Sequence, residues 1–339
     1  MLTQKDYDNI RQELDNCKRP MFFFDDDPDG LCSFLLFYRY VKEGKGVVVK
    51  SSPELKPMFL KTVENYKPDK IFIVDKPMVS PDFIEKVKVP IIWVDHHELK
   101  QNTGTKYFNS RDSGFGEPTS CICYRVVKQD LWIAMCGSVG DWYLPDFKKE
   151  FSEKYPDLLS SKIKKPEKAL YETRLGEIIR ILSFILKGKT SEVMKCVKIL
   201  TRINDPYELI ESKTARASFI MKRYRKVEKN YKELLDRAIK SKDKSKILLF
   251  TYSNKMSFTG DLSNELLYKF PKKLTIVARE KDGEMKCSLR ASSHISVSKI
   301  VEKALLGVNG YGGGHEHACG ACIKKEDFGK FVENIKKEI

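Results

Sequence analysis

Residues 20–41, PMFFFDDDPDGLCSFLLFYRYV, read as a strand, an acidic turn and a helix in immediate succession. The run Pro20-Met21-Phe22-Phe23-Phe24 is apolar on both faces, which suits a strand covered on each side. Four acids follow within Asp25-Asp26-Asp27-Pro28-Asp29-Gly30, and residues 31–41 then carry apolar side chains at helical spacing. Residues 46–49, 70–74 and 90–94 are further strand candidates, rich in β-branched and aromatic side chains. Two of them also stop on an acid: 70–74 runs into Asp75 and 90–94 into Asp95-His96-His97. Such runs predict a parallel sheet flanked by helices, with the carboxyl ends of its strands along one edge. Acids from distant parts of the chain converge there. Like charges repel in that position unless a cation sits among them.

Away from this edge the chain changes character. Residues 147–246 read as helical: Leu170, Leu175, Ile178, Ile179, Leu182 and Ile185 keep an amphipathic spacing, and 219–240 forms a long basic helix. Tyr224 and Tyr231, seven residues apart on it, are read as packing residues rather than base-stacking ones. Residues 247–251, 274–278 and 286–290 return to strand, and 298–306 to helix. The expected fold is therefore α/β: an N-terminal doubly wound, mainly parallel sheet (1–145), a basic helical connector (146–246) and a smaller C-terminal α/β domain (247–339). A chain of 339 residues is long enough for this division.

The net charge of +15 is unevenly spread. Residues 1–145 balance to −1, 146–246 carry +12, and 247–339 carry +4. The middle segment is thus the electrostatic footprint for a polyanion. No apolar run approaches the roughly 20 residues needed to cross a bilayer, and the first residues lack the apolar core of a secretory signal. A cytoplasmic protein without membrane contact is expected. The nine cysteines form no regular framework and fit reduced thiols. Cys121-x-Cys123 and Cys319-x-x-Cys322 lack matching second pairs and are read as buried thiols rather than zinc half-sites.

Four of the five histidines fall in two short motifs, Asp95-His96-His97 and Gly312-Gly313-Gly314-His315-Glu316-His317. Asp27 and Asp29, two positions apart where a strand turns into a helix, can join Asp75, a histidine and another acid to hold two divalent cations through a shared ligand. Two such ions clamp an in-line displacement at phosphorus and lower the pKa of a water between them. Oxygen-rich sites with one or two imidazoles favour manganese or magnesium over structural zinc. An EF-hand is excluded, because the downstream glutamate and flanking helices are absent.

The ordered set Asp27-x-Asp29-Gly30, Asp75, Asp95-His96-His97, Gly140-Asp141 and Gly312-Gly313-Gly314-His315-x-x-Ala318-x-Gly320 resembles the DHH phosphoesterase family with its C-terminal DHHA1 domain. The resemblance implies that Asp27, Asp29, Asp75, His96 and Asp141 are metal ligands, with Asp75 bridging two ions, Mn2+ or alternatively Mg2+. It implies that His97 touches substrate phosphate and that Asp95 orients a histidine, the pair forming the catalytic residues outside the metal shell. Arg290, Gly313, Gly314 and His315 match phosphate-binding positions, and His317 is read as a packing residue. Many members carry a histidine four residues before the first motif acid, where this chain has Phe23. Asp25 resembles the extra acid of RecJ-like single-strand exonucleases and is expected to complete the first metal's shell.

The resulting expectation is a metal-dependent phosphodiesterase, RecJ-like, degrading single-stranded DNA or RNA by two-metal-activated water. One alternative is a phosphoesterase of small nucleotides: short oligoribonucleotides, cyclic dinucleotides or a nucleotide 3′-phosphate. Another is a non-catalytic scaffold with replication or repair proteins as partners.

Overall fold

The computed structural model describes residues 2–50, 53–98, 104–113, 116–292 and 294–339 and divides into two compact units, Met1–Tyr224 and Arg225–Ile339. The first unit opens with α1 (Gln4–Asp15), β1 (Pro20–Asp25), α2 (Pro28–Val41), β2 (Lys45–Val49) and β3 (Glu54–Leu55). It continues through α3 (Leu60–Tyr66), β4 (Lys70–Val74), β5 (Met78–Val79), α4 (Pro81–Lys86), β6 (Ile91–Asp95) and β7 (Lys106–Asn109). The helices α5 (Thr119–Val127), α6 (Leu131–Gly140), α7 (Lys148–Lys154), α8 (Pro166–Glu172), α9 (Arg174–Ile185), α10 (Thr190–Leu200) and α11 (Pro206–Ile210) follow, and α12 (Ala215–Lys240) runs on into the second unit.

The main sheet has the order β2-β1-β4-β6-β7, and every neighbouring pair is parallel. Its apolar strands are covered on both faces, as their composition requires. On one face Met21, Phe23, Ile71, Ile73 and Trp93 pack with Phe83 in a buried cluster. On the other, Phe22, Phe24 and Phe72 meet Phe34 and Phe37 of α2, with Phe24 and Phe34 stacked at 4.6 Å. Each fully buried phenylalanine contributes on the order of 1.5–3 kcal/mol. The chain passes from β1 out to β2 and returns to the other side of β1 as β4, so the direction of winding reverses between β1 and β4. A crevice at the carboxyl ends of such a pair is where open α/β sheets bind ligands.

The edge strand β7 has little sequence signature, because KYFN is short and half polar; it is ordered by backbone pairing to β6. The helices after Lys148 divide between surface and core. Leu175, Ile178, Ile179, Leu182 and Ile185 of α9 are buried, and α9 packs on α6 and α2. Tyr224 and Tyr231 are both buried. Tyr224 packs on Phe184, while Tyr231 packs near Phe258 and donates to Glu265 Oε2 at 2.7 Å.

The second unit holds β8 (Ile247–Ser253), α13 (Thr259–Lys269), β9 (Leu274–Lys281), β10 (Glu284–Arg290), α14 (Val297–Ala304), β11 (Gly310–His315), β12 (Ala318–Lys324) and α15 (Phe328–Lys336). Its sheet runs β11-β12-β10-β9-β8, antiparallel except for β8 with β9. The core of this unit is built from Leu274, Ile276, Leu289, Val301, Phe331 and Ile335, where one face of the sheet meets α14 and α15. The glycine-rich stretch forms the exposed edge strand β11. All nine cysteines are free thiols, and Cys121, Cys123, Cys319 and Cys322 are buried. Among the described residues no group of metal-ligating side chains includes a cysteine, and no helix is long and apolar enough to cross a membrane.

Candidate metal centre

The turn after β1 is built by its own acids. Asp27 caps α2, its Oδ1 accepting from the Gly30 amide at 2.9 Å, and Pro28 occupies the first helical turn, where no amide donor is needed. Gly30 is required by close approach: a Cβ there would lie 2.7 Å from the Asp25 nitrogen. Asp29 is buried at the start of α2, and both its oxygens accept backbone amides from the start of α5, Thr119 N at 2.8 Å and Ser120 N at 2.9 Å. Asp75 follows β4 in the left-handed region, φ 59°, and accepts from Thr119 Oγ1 at 3.2 Å.

The ends of β6 and α6 supply the remaining groups. His96 Nε2 lies 3.3 Å from Asp75 Oδ1 and 3.7 Å from Asp141 Oδ2, with Asp141 at the C-cap of α6. His97 turns the other way: its Nδ1 pairs with Asp95 Oδ1 at 2.8 Å, and Asp95 Oδ2 accepts the His97 amide at 3.1 Å. Three overlapping groups result, each with ligand atoms within 4.8 Å of one another: Asp25-Asp27-Asp75, Asp29-His96-Asp141 and Asp75-His96-His97. Asp75 belongs to two of them.

The electrostatics are those of crowded acids held away from water. Burial first, then repulsion from Asp27, pushes Asp25 up to about 7 against the pull of Lys76. Burial and Asp75 likewise push Asp29 to about 7, and burial carries Asp75 to about 6. Asp27 and Asp141 are raised well above the carboxylate range by burial and their acidic neighbours. Burial lowers His96, which favours the neutral imidazole a metal needs. His97 goes up to about 10: burial disfavours its charge, but the bond to Asp95 and the field of Asp95, Asp75 and Asp27 outweigh it. Asp75 Oδ2 and His96 Nδ1 are buried without a hydrogen-bond partner. A hard divalent cation fits this donor set, since crowded carboxylates and a neutral imidazole satisfy it without a compensating proton.

Phe23 takes no part. It is buried among Phe59 and Phe83, both at 5.7 Å, on the apolar face of β1. Asp25 belongs to the first of the three groups and is also paired with Lys76, whose Nζ lies 2.8 Å from its Oδ1. Nothing in the sequence singles out Lys76. Asn109, Arg111, Thr119 and Ser120 carry no recognisable chemistry in the sequence either, yet they organise the site. The amides of Thr119 and Ser120 hold Asp29, and two side chains hold the histidine backbone: Asn109 Nδ2 donates to His97 O at 2.7 Å and Arg111 Nε to His96 O at 2.7 Å. The helix start at Thr119 is the one available signal.

In the second unit Arg290, Ala318 and His315 share one row across β10, β12 and β11. Arg290 donates from Nε to Asn264 Oδ1 at 2.8 Å, which fixes its guanidinium beside that row. The glycines of β11 differ. A Cβ on Gly314, at φ 148°, would lie 2.4 Å from the Ala318 oxygen, whereas Gly313 faces open space. His317 Nδ1 lies 3.0 Å from Ile295 O.

Carboxylates and a histidine gathered at the switch point of a parallel sheet form an arrangement that a divalent cation would fit, and two family models match the chain. Residues 21–159 match the DHH family N-terminal domain and residues 231–339 the DHHA1 domain; the chain belongs to the DHH family. No curated protein matches the chain. Among solved structures it is similar to RecJ from Thermus thermophilus in complex with Mn2+, with TM-score 0.72 and 15% identity over 99% of this chain and 55% of that one. It thus spans about half the length of that protein. An exonuclease RecJ bound to manganese matches with TM-score 0.60 and 13% identity, covering 99% of this chain and 95% of the other. An exopolyphosphatase-related protein from Bacteroides fragilis matches with TM-score 0.56 and 13% identity, covering 99% and 96%.

Proposed function

We propose that this chain is a divalent-cation-dependent phosphodiesterase that degrades single-stranded DNA or RNA from an end. The observation that carries the reading is the meeting of Asp25, Asp27, Asp29, Asp75, His96, His97 and Asp141 in overlapping groups of ligand distance. Asp27, Asp29, Asp75, His96 and Asp141 would hold two ions, Mn2+ or Mg2+, with Asp75 shared between them and Asp25 beside the first. When bound, such ions supply Lewis acidity toward phosphate and lower the pKa of nearby water.

The chain's own groups do the rest. His97, kept protonated by Asp95, donates to a non-bridging phosphate oxygen as charge develops on it. Asp95 sets the tautomer and direction of that ring. Arg290 and His315 bind substrate phosphate, and Gly313 and Gly314 let backbone come close to it. The excess of positive charge in residues 146–246 supports a nucleic-acid backbone as substrate. The complete acidic set favours a catalyst over a scaffold for replication or repair proteins. A cytoplasmic location belongs to the same reading.

The test is incubation of end-labelled single strands and oligonucleotides of graded length with Mn2+, then with chelator. Stepwise shortening of long strands that stops on chelation is expected. Cleavage confined to dinucleotides would instead assign a small-nucleotide phosphoesterase, and no cleavage of any length would reject the enzyme reading.

A further inference from the structure

Lys76 has no exposed side-chain surface, and burying an ammonium is costly unless it is paired. Its backbone is fixed on both sides. The Asp75 amide donates to Val94 O at 3.0 Å, and the buried Trp93 indole donates to Lys76 O at 2.8 Å. The side chain ends at Asp25, with Nζ 2.8 Å from Oδ1, and Asp25 in turn has ligand atoms within 4.8 Å of Asp27 and Asp75. A lysine ammonium therefore stands directly on an acid of the Asp25-Asp27-Asp75 group, whereas among the described residues no lysine is bonded to the Asp29-His96-Asp141 group, and the His97 ring beside that group is bonded at 2.8 Å to Asp95 and lies 3.9 Å from the shared Asp75.

We propose that Lys76 is a resident cation of the Asp25-Asp27-Asp75 site, sharing Asp25 with the incoming metal ion, so that this site binds Mn2+ more weakly than the Asp29-Asp75-His96-Asp141 site and fills after it. The inference rests on the two-cation reading above. Physically, the ammonium neutralises part of the charge that attracts the ion and occupies one oxygen of Asp25, leaving the other to the metal. It also repels the ion directly. A unit charge at this range in a protein interior changes affinity by about tenfold or more. The same ammonium offsets the repulsion among the acids in metal-free protein, which gives the lysine a second role.

Calorimetric titration of the metal-stripped full chain with MnCl2 tests this without reference to activity, alongside Lys76→Met and Lys76→Arg. The wild type is expected to bind one ion tightly and a second about tenfold or more weakly. Lys76→Met should tighten the second by about tenfold, and Lys76→Arg should leave it weak. Should Lys76→Met fail to fold, as judged by circular dichroism, Lys76→Gln takes its place. An unchanged or weaker second constant in the neutral variant overturns the role of Lys76 while the two-cation reading stands. Absence of Mn2+ binding in the wild type and all variants overturns both.

Discussion

The two motif-bearing regions solve opposite problems. At the carboxyl ends of β1, β4 and β6 the acids are crowded and buried or half-buried, and three of them are tied down: Asp27 by Gly30, Asp29 by the amides of Thr119 and Ser120, and Asp25 by Lys76. In β11 every residue from Gly310 to His315 is exposed on an edge strand. The first region is organised before any ligand arrives and is strained by its own charge; the second is open, and its backbone is its main resource. The difference teaches that rigidity is concentrated where charge must be held against repulsion, and access where a polyanion must approach.

The sharpest way to break this contrast is to remove the carboxylate shared by both groups of ligands. Asp75→Ala is expected to reduce Mn2+-dependent hydrolysis by about a thousandfold or more, with the fold retained by circular dichroism. Activity unchanged in that variant would sink the proposed function. Asp95→Asn touches the site one step removed. It weakens the hold on His97 and should cost roughly 10–100-fold in kcat while Mn2+ affinity changes little. A loss of metal affinity as large as the loss of rate would show Asp95 acting on the metal shell instead.

Much of the crowded region is legible in the sequence, because apolar runs that stop on acids announce both a parallel sheet and its functional edge. Asp27, Asp29, Asp75, His96 and Asp141 are brought together from separate strand and helix ends. What cannot be read is supplied by backbone or by context. The amides of Thr119 and Ser120 have no side-chain signature, and Lys76, next to an acid after a strand, reads as a solvated turn residue although it is buried. In the open region the strand itself is illegible. Gly312-Gly313-Gly314 has no strand propensity, and its pairing with β12 decides its conformation.

Stability against pH sharpens the contrast from the buried side. In metal-free protein Asp25 and Asp29 are held near 7 and Asp75 near 6, above their ordinary 3.8. The folded state then binds more protons than the unfolded chain across the window from about 4 to 7, so stability falls as pH rises through it. His97, raised to about 10, loses its contribution between about 6.5 and 10, in the same direction. His96, lowered by burial, opposes the trend below its ordinary value. The melting temperature of chelator-treated protein should therefore fall from about pH 5 to about pH 8. Mn2+ should restore more at the upper end, where fewer protons must be displaced. A melting temperature that rises over this range would contradict the crowding.

The smallest effect tests the open side. At Gly313 a Cβ would meet nothing, and β11 is an edge strand, so Gly313→Ala should leave the melting temperature within about a degree of wild type. At Gly314 the same change drives a Cβ to 2.4 Å from the Ala318 oxygen and forces a φ that alanine rarely adopts, so Gly314→Ala should destabilise. If Gly313 is where backbone meets phosphate, its methyl adds bulk only when substrate is present. KM for single strands should then rise by about fivefold, on the order of 1 kcal/mol, with kcat nearly unchanged. Equal KM values for Gly313→Ala and wild type would remove Gly313 from the substrate surface and leave β11 with a purely structural glycine at 314.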